Sequence, residues 1–136
     1  MKFQIKDSNG QINLSVEILR QEHDVEWLEG LIDFNMKGFK SIFKFSLMLG
    51  ELMTFLEELK NFNSTLKGQA TFANIEDNIK LTFSTDGLGH VAINGILRDS
   101  TYSVTTSFEI KSDQTFLPTL INEVDQIVKH YKCLIN

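Results

Sequence analysis

Apolar and polar residues alternate with period two over most of this chain. Phe3 and Ile5 alternate with Lys2, Gln4 and Lys6. After Asp7-Ser8-Asn9-Gly10, Ile12, Leu14, Val16 and Ile18 alternate with Asn13, Ser15 and Glu17. Period two puts successive side chains on opposite faces of a strand. Asn-Gly between two such runs tolerates positive φ at both positions and predicts a hairpin. A third strand is predicted over roughly residues 27–37 and a fourth over 39–45, with Phe39, Ser41, Phe43 and Phe45 on one face.

The period then changes. Leu52, Phe55, Leu56, Leu59 and Phe62 recur at the spacing of one helix face. Glu51, Glu57, Glu58 and Lys60 fall on the other side, and Asn61, Asn63 and Ser64 are expected to end the helix. Alternation returns with Ala70 and Phe72, which should pair with Ile79, Leu81 and Phe83 across residues 74–78. Asp86-Gly87-Leu88-Gly89 turns into Val91, Ile93, Gly95 and Leu97, and Asp99-Ser100 turns into Tyr102, Val104, Thr106, Phe108 and Ile110. A last helix carries Leu117, Leu120, Ile121, Val124, Ile127, Val128 and Tyr131 on one stripe. Pro118 must lie in its first turn, where N–H groups lack intrahelical partners, so Thr115 or the competing Asp113 is its cap.

The two halves read alike: four strands, then a helix. An offset of 67 lays Ile12, Leu14 and Val16 on Ile79, Leu81 and Phe83. From Trp27 onward an offset of 65 lays Gly30 on Gly95, Phe43 on Phe108, and Leu52 and Phe55 on Leu117 and Leu120. Connections this short exclude parallel crossovers. The expectation is an α+β fold of about eight antiparallel strands with two amphipathic helices, a pseudo-duplicated ββββα unit with halves 1–66 and 67–136.

Composition narrows the picture. A chain of 136 residues fits one domain, 1–136, and at 42% hydrophobic and 23% charged it can bury a core without disulfides or metal. Eleven Phe against two Tyr and one Trp argue for aromatic packing inside. The single cysteine, Cys133, allows no internal disulfide. A net charge of −5 disfavours nucleic acid as a partner, since neutralising phosphates needs Lys and Arg. No run approaches the ~20 apolar residues of a membrane span, and the start lacks the apolar stretch of a secretory signal. The reading is a soluble, cytoplasmic protein with no membrane partner.

Catalytic patterns are missing. There is no Gly-x-Ser-x-Gly elbow, no phosphate-binding Walker loop and no Gly-x-Gly-x-x-Gly. His23 stands in Gln21-Glu22-His23-Asp24, a solvated loop whose spacing matches no metal signature. His90 follows two turn glycines, His130 sits near the helix end, and Glu57-Glu58 reads as the wet side of a helix. No enzyme activity, cofactor or metal is expected.

The least ordinary feature is electrostatic. Residues 21–33 hold Glu22, Asp24, Glu26, Glu29 and Asp33 with no Lys or Arg. Such a run is commonly a solvated face. It also suits a docking surface for a basic partner, where complementary charge speeds association. Trp27, in its middle, reads either as one more core aromatic, the commoner fate, or as an interface anchor. The candidate partner-binding residues are Glu22, Asp24, Glu26, Trp27 and Glu29.

The order of short motifs adds a family. The opening hairpin is followed by Asp24-x-Glu26-Trp27-Leu28, Gly38-Phe39 and Leu49-x-Glu51-Leu52-x-x-Phe55-x-x-x-Leu59. Then come Leu66-x-Gly68-x-Ala70, Leu81-x-Phe83, Gly89-His90-Val91 and Asp113-Gln114-Thr115-x-Leu117. This series resembles the WapI-like family of small bacterial immunity proteins across nearly the whole chain. The resemblance implies binding to a cognate toxin, often a nuclease, inside the cell that makes it, with a basic toxin domain as partner. It assigns no toxin-facing residues. Two alternatives stand beside it: a structural or regulatory homo-oligomer, such as a homodimer joined at strand edges, and a small-molecule binder with a pocket between the halves.

Overall fold

The computed structural model describes residues 1–23 and 26–135. The alternating segments form β1 (Lys2–Lys6), β2 (Ile12–Gln21), β3 (Trp27–Met36), β4 (Phe39–Met48), β5 (Ala70–Ala73), β6 (Ile79–Thr85), β7 (His90–Arg98) and β8 (Thr105–Asp113). The two segments of helical period form α1 (Leu49–Thr65) and α2 (Leu117–Ile135). The strands make two antiparallel four-stranded sheets in the orders β1-β2-β3-β4 and β5-β6-β7-β8. The fold is therefore α+β, two antiparallel sheets and two helices, in a repeated ββββα arrangement.

The repeat is close at the first hairpins and looser after them. Phe3 faces Val16 and Ile5 faces Leu14; at an offset of 67, Ala70 faces Phe83 and Phe72 faces Leu81. The third strands break that rule. Val16 faces Ile32, whereas its counterpart Phe83 faces Ile93, so the two sheets do not follow the offset of 65 expected from Trp27 onward. Gly30 stands opposite Ile18 and Gly95 opposite Leu81, on different rungs. The cause is length: β2 and β3 each have 10 residues, β6 and β7 have 7 and 9, and β2 bulges between Ile18 and Arg20. A periodic pattern fixes the face of a residue but not its rung.

The buried faces join in one core. Phe55 of α1 lies at its centre, with ring centroids 5.8 Å from Phe3, 5.2 Å from Phe72 and 5.6 Å from Phe83. Phe3 and Phe72 meet edge to face at 5.7 Å, so the first strands of both halves touch the same helix. α1 packs chiefly on α2 and β5, and α2 on α1 and β1. Each helix thus covers the edge of the other half's sheet. Thr71 N–H donates to Glu58 Oε1 at 3.0 Å, and Gln4 N–H donates to Glu123 Oε1 at 3.1 Å. Glu58 is half-buried in this role, not on the wet face expected of it. Glu58 and Glu123 are 65 positions apart, the offset found for the helices.

Two helix ends differ from expectation. α1 runs through Asn61, Asn63 and Ser64 and stops after Thr65, where Leu66 turns left-handed at φ 51 and its N–H donates to Phe62 O at 2.8 Å. Burial of Phe62 outweighs the weak helix preference of the asparagines. Before α2 a short 3-10 turn spans Gln114–Phe116, and Asp113, not Thr115, caps it by accepting from Thr115 N–H at 2.9 Å. Pro118 is then the second residue of α2, as its missing donor requires.

Candidate functional site

The site grows from a corner where the two sheets meet. Asn74 and Asn78, buried polar residues at 5% and 3% exposure, lie in the β5–β6 turn. Asn74 Oδ1 accepts from Asn78 N–H at 2.8 Å and Ile79 N–H at 3.1 Å. Asn74 Nδ2 donates across the gap to Ser46 O on β4 at 3.0 Å. Asn78 Nδ2 donates to Arg98 O at 3.1 Å, Tyr102 Oη to Glu76 O at 2.5 Å, and Arg98 pairs with Asp77. These bonds seat the β5–β6 turn and the β7–β8 loop against β4.

The β2–β3 connection reaches the same corner. Glu22 N–H donates to Trp27 O at 2.9 Å, and Leu49 N–H, opening α1, donates to Glu26 O at 2.9 Å. Ser46 Oγ donates to Glu22 Oε1 at 2.9 Å. Between these segments runs a cleft of about 350 Å³ lined by Glu22, Lys44, Ser46, Glu76 and Tyr102 among others. A neighbouring hollow of about 260 Å³ adds His23 and Trp27. Trp27 is only half-buried and points away from the core, so the core reading of it is corrected: strand parity gives Leu28 the inward place.

Charge gathers here from separate parts of the chain. Glu51, in the first turn of α1, accepts from Met48 N–H at 2.7 Å. Burial raises its carboxyl above the usual range, the Met48 and Ile75 amides oppose the rise, and the nearby Glu76 charge adds to it. Glu22, Glu26, Glu51 and Glu76 thus come from the β2–β3 connection, the start of α1 and the β5–β6 turn.

Glu29 lines the same cleft, but its charge is paired. Arg20 Nε lies 3.0 Å from Glu29 Oε2, and Lys44 Nζ 3.3 Å from Glu29 Oε1. The Arg20 hydrogen bond, with help from Lys44, holds the Glu29 carboxyl below its ordinary range against the opposing effect of burial. The acidic run of residues 21–33 is therefore not one uninterrupted patch, because pairing with β2 and β4 brings bases alongside it. Asp33 accepts from Asn35 Nδ2 at 2.8 Å further along β3. Asp24 lies outside the described residues. Glu51 and Glu76 were not legible as site residues, since no linear pattern links a helix start to a distant turn.

The remaining candidates take structural places. His90 Nδ1 lies 2.6 Å from Asp86 Oδ2, and Leu88 N–H donates to Asp86 Oδ1 at 2.7 Å, so the 86–90 segment closes as a turn with Gly87 at φ 80 and Gly89 at φ 95. His130 is exposed beside the Tyr131 ring, and Cys133 is exposed. Among the described residues no three His, Cys, Asp or Glu side chains gather as a metal would need, and no helix is long and apolar enough to cross a membrane.

Comparison with known proteins gives two findings. The model of the immunity protein WapI-like family matches residues 4–132. In structure the chain is similar to the plant transcriptional regulator PBF-2, at 15% identity over 98% of this chain and 91% of that one, with a TM-score of 0.58. It is also similar to WHY3 from Arabidopsis thaliana (14% identity, 96% and 88% covered, TM-score 0.54). A third is MRP1/MRP2 of Trypanosoma brucei (13% identity, 97% and 85% covered, TM-score 0.52). At such identities the likeness shows the fold alone. No curated protein matches the chain in sequence.

Proposed function

This chain belongs to the WapI-like immunity protein family, and from that premise we propose that it works by binding a cognate toxin and covering its working surface, not by catalysis. The family match across residues 4–132 carries the reading. The sheet corner supports it by supplying a docking surface. Glu22 and Glu76 line it beside two aromatic side chains, Trp27 and the 55%-exposed Tyr102, and the exposed Glu26 immediately precedes Trp27 in the chain. That combination suits a basic protein surface: charge steers the encounter, and aromatic anchors at the centre slow release. A nuclease toxin, whose cleft must hold phosphates, is such a partner, and the encounter would take place in the cytoplasm of the producing cell. A net charge of −5 speaks against nucleic acid as the partner.

Co-expression with the product of the neighbouring reading frame, taken as the candidate toxin, tests the proposal. A stable complex and restored growth are expected. A toxin that neither co-purifies nor loses toxicity would sink it. A homo-oligomeric reading draws on β4, an edge strand with Phe39 and Ile42 41% and 54% exposed. Light scattering that finds a dimer indifferent to the toxin would favour it.

A further inference from the structure

The two helices are crossed over. α1 belongs to the first half by sequence but packs on β5 of the second, and α2 belongs to the second half but packs on β1 of the first. Both contacts end in the same bond, a glutamate accepting from an edge-strand amide. The halves are covalently joined only through residues 66–69, between the end of α1 and the start of β5. This connection holds Leu66 at φ 51 and Gly68 at φ 74. Glycine takes such a conformation without penalty, whereas leucine is strained in it.

Opening that connection uncovers two sheet edges and two helix faces at once. A second copy, opened in the same way, carries the complement of each. Its α1 fits this chain's β5, and its α2 fits this chain's β1, with the same glutamate bonds. The straightened connection also releases the strain at Leu66. We propose that the protein forms a dimer by exchange of its second halves, each core being built from residues 1–65 of one copy and 70–135 of the other. Such exchange needs a short connection under strain and a closed interface that can re-form between copies, and both are present. The sheet corner draws Glu22 and Ser46 from the first half and Glu76 and Tyr102 from the second. Each exchanged dimer would therefore carry two such corners, each made by two chains. The proposal stands independently of the immunity reading.

Two chains test it, the native one and one lacking residues 67 and 68. After refolding at rising protein concentration, both are sized by light scattering. The shortened chain is expected to be mainly dimeric, and the native chain to gain dimer with concentration. Leu66→Gly, which removes the strain, should lower the native dimer fraction several-fold. Exchange is told from surface association by Glu58→Cys with Thr71→Cys, in a Cys133→Ser background, joined by a short bis-maleimide. An exchanged dimer gives a covalently linked pair of chains on a denaturing gel. Links confined to single chains in the dimer overturn the proposal. So does the failure of both chains to yield a cross-linkable dimer at any refolding concentration, aggregation included.

Discussion

The Asn74 side-chain amide donates to the Ser46 carbonyl at 3.0 Å, joining the β5–β6 turn of one sheet to β4 of the other at the edge of the acidic corner. Asn74 is 5% exposed and makes further bonds to Asn78 and Ile79, so its loss would leave several polar groups buried without partners. Asn74→Ala is expected to cost about 2–3 kcal/mol in urea unfolding and to weaken toxin binding along with stability. Unchanged stability would mean that the corner is not held this way.

Gly95 makes a second packing test. A Cβ there would collide with the Phe108 ring, and that ring cannot retreat because it lies 4.4 Å from Phe34 by centroid distance. Gly30 is similar, with a Cβ placed 2.5 Å from Phe45 Cε1. Either glycine to alanine should destabilise by about 1–3 kcal/mol through overpacking, measured by thermal or urea unfolding.

Charge reversal should divide the acidic residues into two groups. Glu22→Lys, Glu26→Lys and Glu76→Lys are expected to slow association with the toxin several-fold at low salt, with the difference fading at high salt. Glu29→Gln should change the association rate much less, because Arg20 and Lys44 already balance that carboxylate. Stopped-flow rates at two ionic strengths would show whether the division holds.

Trp27 is the single tryptophan and lines the corner beside Glu22 and Glu76. Its emission should shift on complex formation. Trp27→Ala should leave the fold intact and raise the Kd at least ~10-fold, as expected for an interface anchor. An emission spectrum indifferent to saturating toxin would place the interface elsewhere.

Stability should fall in acid. The Thr101 hydroxyl holds Asp99 below its usual range, helped by the Val104 and Ser103 amides, and the Thr115 hydroxyl and amide do the same for Asp113. A lowered carboxyl stabilises the fold above its unfolded pKa of about 4 and loses that contribution as pH drops through the folded value. Glu51 has the opposite sign: its raised carboxyl favours the fold when protonated, and that contribution is lost as pH rises. Unfolding midpoints followed below pH 5 should therefore decline, and Asp99→Asn should flatten the decline.

Local periodicity was enough to specify the elements. The period-two and helical stripes marked eight strands, two helices and most of the core, because the burial of a side chain follows from which face it occupies; β4 runs on to Met48, and Tyr102 and Val104, read as strand, lie exposed before β8. The family, too, was legible in short motifs spread along the chain. Tertiary structure alone decided the rest. Hairpin length, not pattern, set the rungs of β3 and β7, so the glycines that align in sequence do not align in space. Packing carried α1 past its asparagines and drew Glu58 from the wet face to the edge of β5. The acidic corner, finally, joins Glu22 and Glu26 of the acidic run to Glu51 and Glu76, which no sequence pattern links to it, while Glu29 of the same run is balanced by Arg20 and Lys44. Charges act through space, and only the folded chain determines which of them are neighbours.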